Sequence, residues 1–170
     1  YRDFEGRLPF QKGGIVEIRR NFFGLSNEYE FMPGPKHRFT LGQNIEIQLD
    51  SRKRFDNING SRGIPDLYQN ENVYNFSLFQ QWQMAIGRIE LHQLLRYDLY
   101  KFELSDHYLF NGIQNGDKSF DNLNGSLGIG FDILKNWNIF LNLGTSFEVP
   151  TLNEFSNNPN ITGGFNPTLQ

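Results

Sequence analysis

The sequence predicts an all-β protein: a stretch of transmembrane antiparallel β-barrel. Three observations carry that expectation. Hydropathy alternates with period two along most of the chain. The alternating runs are longer than the roughly 5 to 6 residues of ordinary strands. Short connections alternate with long polar ones, as in outer-membrane barrels.

Taken in order, residues 14–32 form the weakest run, with Leu25, Tyr29 and Phe31 on one face. From Arg38 to Arg52 the odd positions are Phe39, Leu41, Gln43, Ile45, Ile47 and Leu49, and the even ones are polar or Gly. Val73 to Met84 places Tyr74, Phe76, Leu78, Trp82 and Met84 together. Arg88 to Asp98 sets Ile89, Leu91, Leu95 and Tyr97 against Arg88, Glu90, His92, Arg96 and Asp98. Residues 122–133 alternate through Leu123, Leu127, Ile129 and Phe131, and residues 138–149 through Ile139, Leu141, Leu143 and Phe147. No comparable helical period is present.

Short turns are expected at 32–36, 85–87 and 135–137, and long polar loops at 53–72, 104–119 and 150–170. Strands starting and ending on the loop side would number about six. Single-chain outer-membrane barrels have at least eight, and six would leave two unpaired edges in lipid. The whole of 1–170 is therefore expected to be one partial barrel domain, a segment of a longer chain. Its opening on Tyr1 rather than a start Met, with no signal-peptide pattern, fits that expectation.

Composition narrows the function classes. A mean hydropathy of −0.54 suggests solubility, but a barrel strand needs only every second residue apolar. No run approaches the roughly 18 apolar residues of a membrane helix. Sixteen Lys and Arg against nineteen Asp and Glu, with no basic stretch, argue against nucleic acid. The lack of Cys removes disulfides, thiolate metal sites and thiol catalysis. His37, His92 and His107 have no metal-motif spacing. Phe55-Asp-Asn-Ile-Asn-Gly-Ser61 recurs as Phe120-Asp-Asn-Leu-Asn-Gly-Ser126, but its spacing misses a calcium loop and suits turns instead. No nucleophile, phosphate-loop or metallopeptidase motif is present, so neither an enzyme nor a cofactor is expected. Glu90 and Asp98 lie about 26 Å apart at strand rise, too far to act on one bond.

Candidate site residues fall in two groups. Arg38, Glu46, Asp50, Arg52, Arg88, Glu90, His92, Arg96 and Asp98 are expected to face a wet lumen. The plain reading is cross-strand charge pairing; the functional one is contact with a lumen-filling domain or a solute. Arg62, Tyr68, Tyr108, Phe110 and Lys118 are expected in external loops. Aromatics and cations there suit capture of an anionic chelate, with loop packing as the plain alternative.

The C-terminal stretch Thr145-Ser-Phe-Glu-Val-Pro-Thr-Leu-Asn-Glu154 and then Gly164-Phe-Asn-Pro-Thr-Leu-Gln170 resembles a segment of TonB-dependent outer-membrane receptors. Phe147, Pro150 and Glu154, then Asn166, Pro167 and Leu169, carry the likeness. Leu49-Asp50-x-Arg52, Gln69-x-Glu71-x-Val73 and Arg96-Tyr97-Asp98 add to it in order. The resemblance implies a 22-stranded barrel with an N-terminal plug. It also implies uptake of a scarce chelate, most often a ferric siderophore, in the Gram-negative outer membrane. Energy would come through the TonB complex, which with the plug and its contact segment lies outside this stretch. No His stands between Phe147-Glu-Val-Pro150 and Asn166-Pro-Thr-Leu169, which argues against haem. The rival expectations are another outer-membrane barrel, such as a porin-like channel, or a soluble β-sandwich binding module.

Overall fold

A computed structural model describes residues 1–111, 114–155 and 165. One antiparallel sheet contains seven strands in strictly sequential order: β1 (Arg2–Arg7), β2 (Ile15–Gly34), β3 (His37–Ile58), β4 (Ser61–Ile86), β5 (Ile89–Asp106), β6 (Gly116–Leu134) and β7 (Trp137–Gly144). Six match the expected runs. The seventh, β1, is short and carries charge on both faces, so alternation did not announce it; its register with β2 runs from Arg2↔Arg20 to Arg7↔Ile15.

Two expected loops are shorter than predicted. Residues 53–72 are not a loop: β3 runs on to Ile58, β4 starts at Ser61, and Asn59-Gly60 makes the turn. Both turn residues have positive φ, 52° and 88°. That is the combination a tight hairpin turn requires and that Asn-Gly supplies most readily. The Asn57 side chain accepts the Gly60 N–H at 2.7 Å and locks the turn. Likewise 104–119 shrinks to 107–115. The final strand ends earlier than expected, at Gly144 rather than Val149. The second copy of the repeated heptapeptide lies within β6, with Asn122 registered to Asp98, because β5 supplies a ladder partner where the first copy folds back on itself.

The sheet is inside out relative to a soluble protein. Buried polar residues include Asp50, Gln69, Glu71, Asn75, Ser77 and Asp98. Leu25, Tyr29, Leu41, Leu78, Leu95, Leu123, Leu127, Leu141 and Leu143 are exposed. Registers place the apolar residues on one outer face: Leu25↔Ile45↔Phe76↔Leu99 is one row. On β3 the apolar belt runs from Phe39 to Leu49, then gives way to Ser51 and Lys53. That stretch is about 33 Å along the strand, or about 25 Å in height at a tilt near 40°, the thickness of an outer-membrane apolar band. The neighbours change at corresponding levels, to Arg19 and Asn21 on β2, Asn72 on β4, Lys101 on β5 and Asp121 on β6.

At the turn end of the belt, His37, Phe39 and Trp82 stack within 6.5 Å, and the Trp82 indole N–H donates to His37 Nδ1 at 3.4 Å. Such rings suit the interfacial girdle, where an apolar body meets a wet edge.

Candidate functional site

The inner wall is a polar network tied across strands. Asp50 on β3 accepts Arg20 Nη2 at 2.6 Å and Nε at 2.8 Å, and Gln48 Nε2 at 3.0 Å. This two-pronged contact matches the flat guanidinium to the carboxylate. One strand over, Glu71 takes Arg52 at 3.5 Å and the Gln69 amide. A second cluster centres on Asp98: Arg96 Nε reaches both its oxygens at 2.9 Å, and Ser77 Oγ donates to it at 2.6 Å. Ser77 is fully buried and accepts Arg96 Nη2 at 2.9 Å. Each carboxylate shielded from water therefore has a cation and at least one further donor, which is the condition for holding charge there.

The expected inner charges are thus mostly structural pairs. Arg38 lies 3.7 Å from Glu30, and His92 lies 3.7 Å from Glu90. Glu46 is exposed on the same face, between Gly24 and Asn75. Arg88 departs from expectation: it sits in the turn between β4 and β5, donating to the Ile133 carbonyl at 3.3 Å. Arg20, Glu71 and Ser77 complete the clusters. Only Glu71 had a sequence signal, inside Gln69-x-Glu71. Arg20 and Ser77 became visible once the register was known.

The five expected loop residues separate. Arg62 and Tyr68 lie on β4 and Lys118 on β6, not in loops, because the strands outrun the belt. Arg62 pairs with Glu5 at 2.7 Å and with Glu17, its guanidinium 5.5 Å from the Phe55 ring centre. It clamps β1 to the β3–β4 ribbon. Arg7 and Arg62 together hold the Glu5 carboxyl below its usual range, Arg7 the more strongly. Tyr68 carries the Lys53 ammonium 4.4 Å over its ring and touches His107. Lys118 stands 5.6 Å over Phe120. Tyr108 and Phe110 do occupy the β5–β6 connection, their rings 5.5 Å apart, with Phe110 93% exposed. Asp106 shapes this connection by accepting the Tyr108 and Gln114 amides at 2.9 and 3.3 Å.

The chain after β7 turns inward at the loop end. Thr151 starts the single helical turn α1 (Leu152–Phe155), and the Glu154 carboxylate reaches back to the Thr151 N–H at 2.6 Å. This is the Glu half of a capping box; the Thr151 hydroxyl donates to the same carboxylate at 3.2 Å, and the Glu154 N–H goes to the Thr151 carbonyl at 3.0 Å. That gives Glu154 a physical role as the first-turn brace. It seats Phe155, fully buried, 4.9 Å from Phe102 and 5.8 Å from Phe120 on the inner wall. Phe165 stacks on Phe155 at 5.4 Å and covers Gly116 so closely that a Cβ there would lie 2.3 Å from the ring. Alternation did not reveal this apolar patch, because Phe102, Leu104 and Phe120 stand on the otherwise polar face. Phe147 is partly exposed, and Pro150 immediately precedes the α1 cap. Asn166, Pro167 and Leu169 lie outside the described residues. Among the described residues no cluster of three metal-ligating side chains occurs.

Comparisons with known proteins agree with this architecture. The family model described as TonB dependent receptor-like, β-barrel matches residues 2–170. Among solved structures, the chain is similar to the ferric citrate transporter FecA in its unliganded form, with a TM-score of 0.64 and 16% identity. That match covers 75% of this chain and 21% of the other, so the chain spans about a fifth of that transporter's length.

Proposed function

Because this chain belongs to the TonB-dependent receptor-like β-barrel family, we propose that it forms part of the wall and outer rim of an outer-membrane uptake receptor. The observation that carries the reading is the division of its two faces. An apolar belt about 25 Å high faces outward, while the charged residues of the wall are paired inward. A soluble sandwich would bury the first face and expose the second.

The receptor's substrate is a scarce anionic chelate, most simply a ferric siderophore or ferric carboxylate. The structural neighbour is a ferric citrate transporter. Half-buried Tyr108 and exposed Phe110 supply an aromatic pair at the mouth, and Lys118 places a cation on the neighbouring strand. Arg62 and Tyr68 are engaged by Glu5, Glu17 and Lys53, so they shape the rim more than they reach for a ligand. The plug and the TonB complex are the receptor's working partners, acting through other parts of the full protein.

Deleting the gene should abolish growth on one or a few ferric chelates under iron limitation. The full-length gene should restore it only in cells with TonB. Tyr108→Ala with Phe110→Ala should weaken uptake at low chelate concentration. Unchanged use of every iron source, or uptake independent of TonB, would overturn the proposal.

A further inference from the structure

The apolar belt carries a break that a lipid-facing surface does not need. On four consecutive strands the outward residue four positions from the turn-side end of the belt is a carboxamide. Counting from Phe31, Phe39, Met84 and Ile89 gives Asn27, Gln43, Gln80 and Gln93. Asn27 is registered directly with Gln43. Gln43 is registered with Leu78, two residues from Gln80, and Gln80 with Leu95, two residues from Gln93. That stagger follows the drift of the belt itself, so the four amides lie at one depth, about 10 Å inside its turn-side edge at a strand tilt near 40°. The row stops at β5: the equivalent positions on β6 and β7 are Leu127 and Leu143. It is about 14 Å wide, three strand spacings.

Acyl chains offer an amide neither donor nor acceptor. Water is absent at that depth, and the four side chains form no hydrogen bonds with one another. A carboxamide also differs from a charged group in carrying both donor and acceptor, so a row of them complements itself. A twofold axis along the membrane normal maps each depth onto itself. Amides at a single depth therefore meet amides, with Gln43 opposite Gln80 and Asn27 opposite Gln93 of the second copy. A foreign partner would place no such demand on their level.

We propose that the outer face of β2–β5 is the surface on which two copies of the receptor pair in the membrane, with the amide row as its polar seam. This goes beyond the uptake role and needs only the outer face to lie in lipid.

The test uses the full-length receptor, purified from outer membranes and held in lipid nanodiscs, with mass read by light scattering. The wild type should be a dimer. The variant Asn27→Leu, Gln43→Leu, Gln80→Leu, Gln93→Leu should halve in mass while keeping the heat-modifiable mobility of a folded barrel. As an independent arm, co-expressed Gln43→Cys and Gln80→Cys chains should form an oxidative cross-link between copies, and a Leu143→Cys pair should not. A monomeric wild type, an undiminished dimer in the leucine variant, or links to a different protein would overturn the pairing. Absence of the receptor from the outer-membrane fraction would overturn both the placement and the pairing; a monomer found there overturns the pairing alone.

Discussion

Leu127→Arg tests the assignment of faces most directly. Leu127 lies on the outer face of β6, four positions from Leu123 at the loop-side edge of the belt and four from Phe131 toward the turn. At strand rise and a tilt near 40° it is about 10 Å from each edge, at mid-depth. It is 59% exposed, so the guanidinium would enter hydrocarbon rather than displace protein. Arginine on the lipid face costs about 2 to 4 kcal/mol at the midplane, a factor of about 30 to 900 in the folding equilibrium. The adjacent Ser126→Arg places the same group on the wet inner face, and its cost should stay below about 1 kcal/mol. Both variants of the full-length barrel would be titrated with denaturant in lipid vesicles, folding being followed by heat-modifiable mobility. Equal penalties, or a larger one at Ser126, would refute the assignment.

Other expectations follow from the same geometry. Asp98→Ala removes the carboxylate that Arg96 and Ser77 share, leaving Arg96 only Ser77 Oγ and Ser77 only Asn75 Oδ1 as acceptors, and should destabilise the barrel by about 2 to 3 kcal/mol, less than a fully buried pair because Arg96 keeps some contact with water. Glu90→Ala, at a pair largely in solvent, should change the denaturation midpoint little. Glu154→Ala removes the brace at Thr151; a loss near 1 kcal/mol should speed exchange of the Thr151 amide about fivefold, and an unchanged rate would argue against the capping role. The Glu5 carboxyl is lowered from its usual 4.5 by Arg7 and Arg62, so its contribution is complete above that value. It is lost as pH falls through the depressed folded value. Hydrogen exchange of β1, corrected for intrinsic rates, should therefore stay constant from neutrality to about pH 5 and rise only below the ordinary carboxylate range.

The long strands were legible because a belt that meets lipid forces every second residue to be apolar, and nothing softens that rule over the membrane's thickness. Where the strands leave the membrane the constraint lapses. Residues 53–72 alternate poorly and read as a loop, although Asn59-Gly60 and the Asn57 cap fold them into a ribbon. Here the turn chemistry was readable and the strand content was not. Strand β1 was invisible for the same reason. On the inner wall, single residues such as Asp50 and Asp98 could be singled out, but their partners Arg20 and Ser77 depend on register. The inward turn of Phe155 onto Phe102 joins positions far apart in sequence, and no local pattern encodes it.

The β3–β4 ribbon limits how the receptor's rim can change in length. Beyond Leu49 the two arms are laddered almost to the tip, with register shifts near Phe55. Residues removed as matched cross-strand sets of two shorten the ribbon and leave every facing unchanged. Loss of one residue from one arm turns all side chains beyond it to the opposite face. Lys53 would then swing away from Tyr68, and Arg54 from Asp66, which it now holds at 2.9 Å. The shifts at Phe55 are where such a slip can be absorbed. Insertions and deletions among related rims should therefore gather between Arg54 and Arg62, with odd-numbered changes accompanied by a gained or lost bulge.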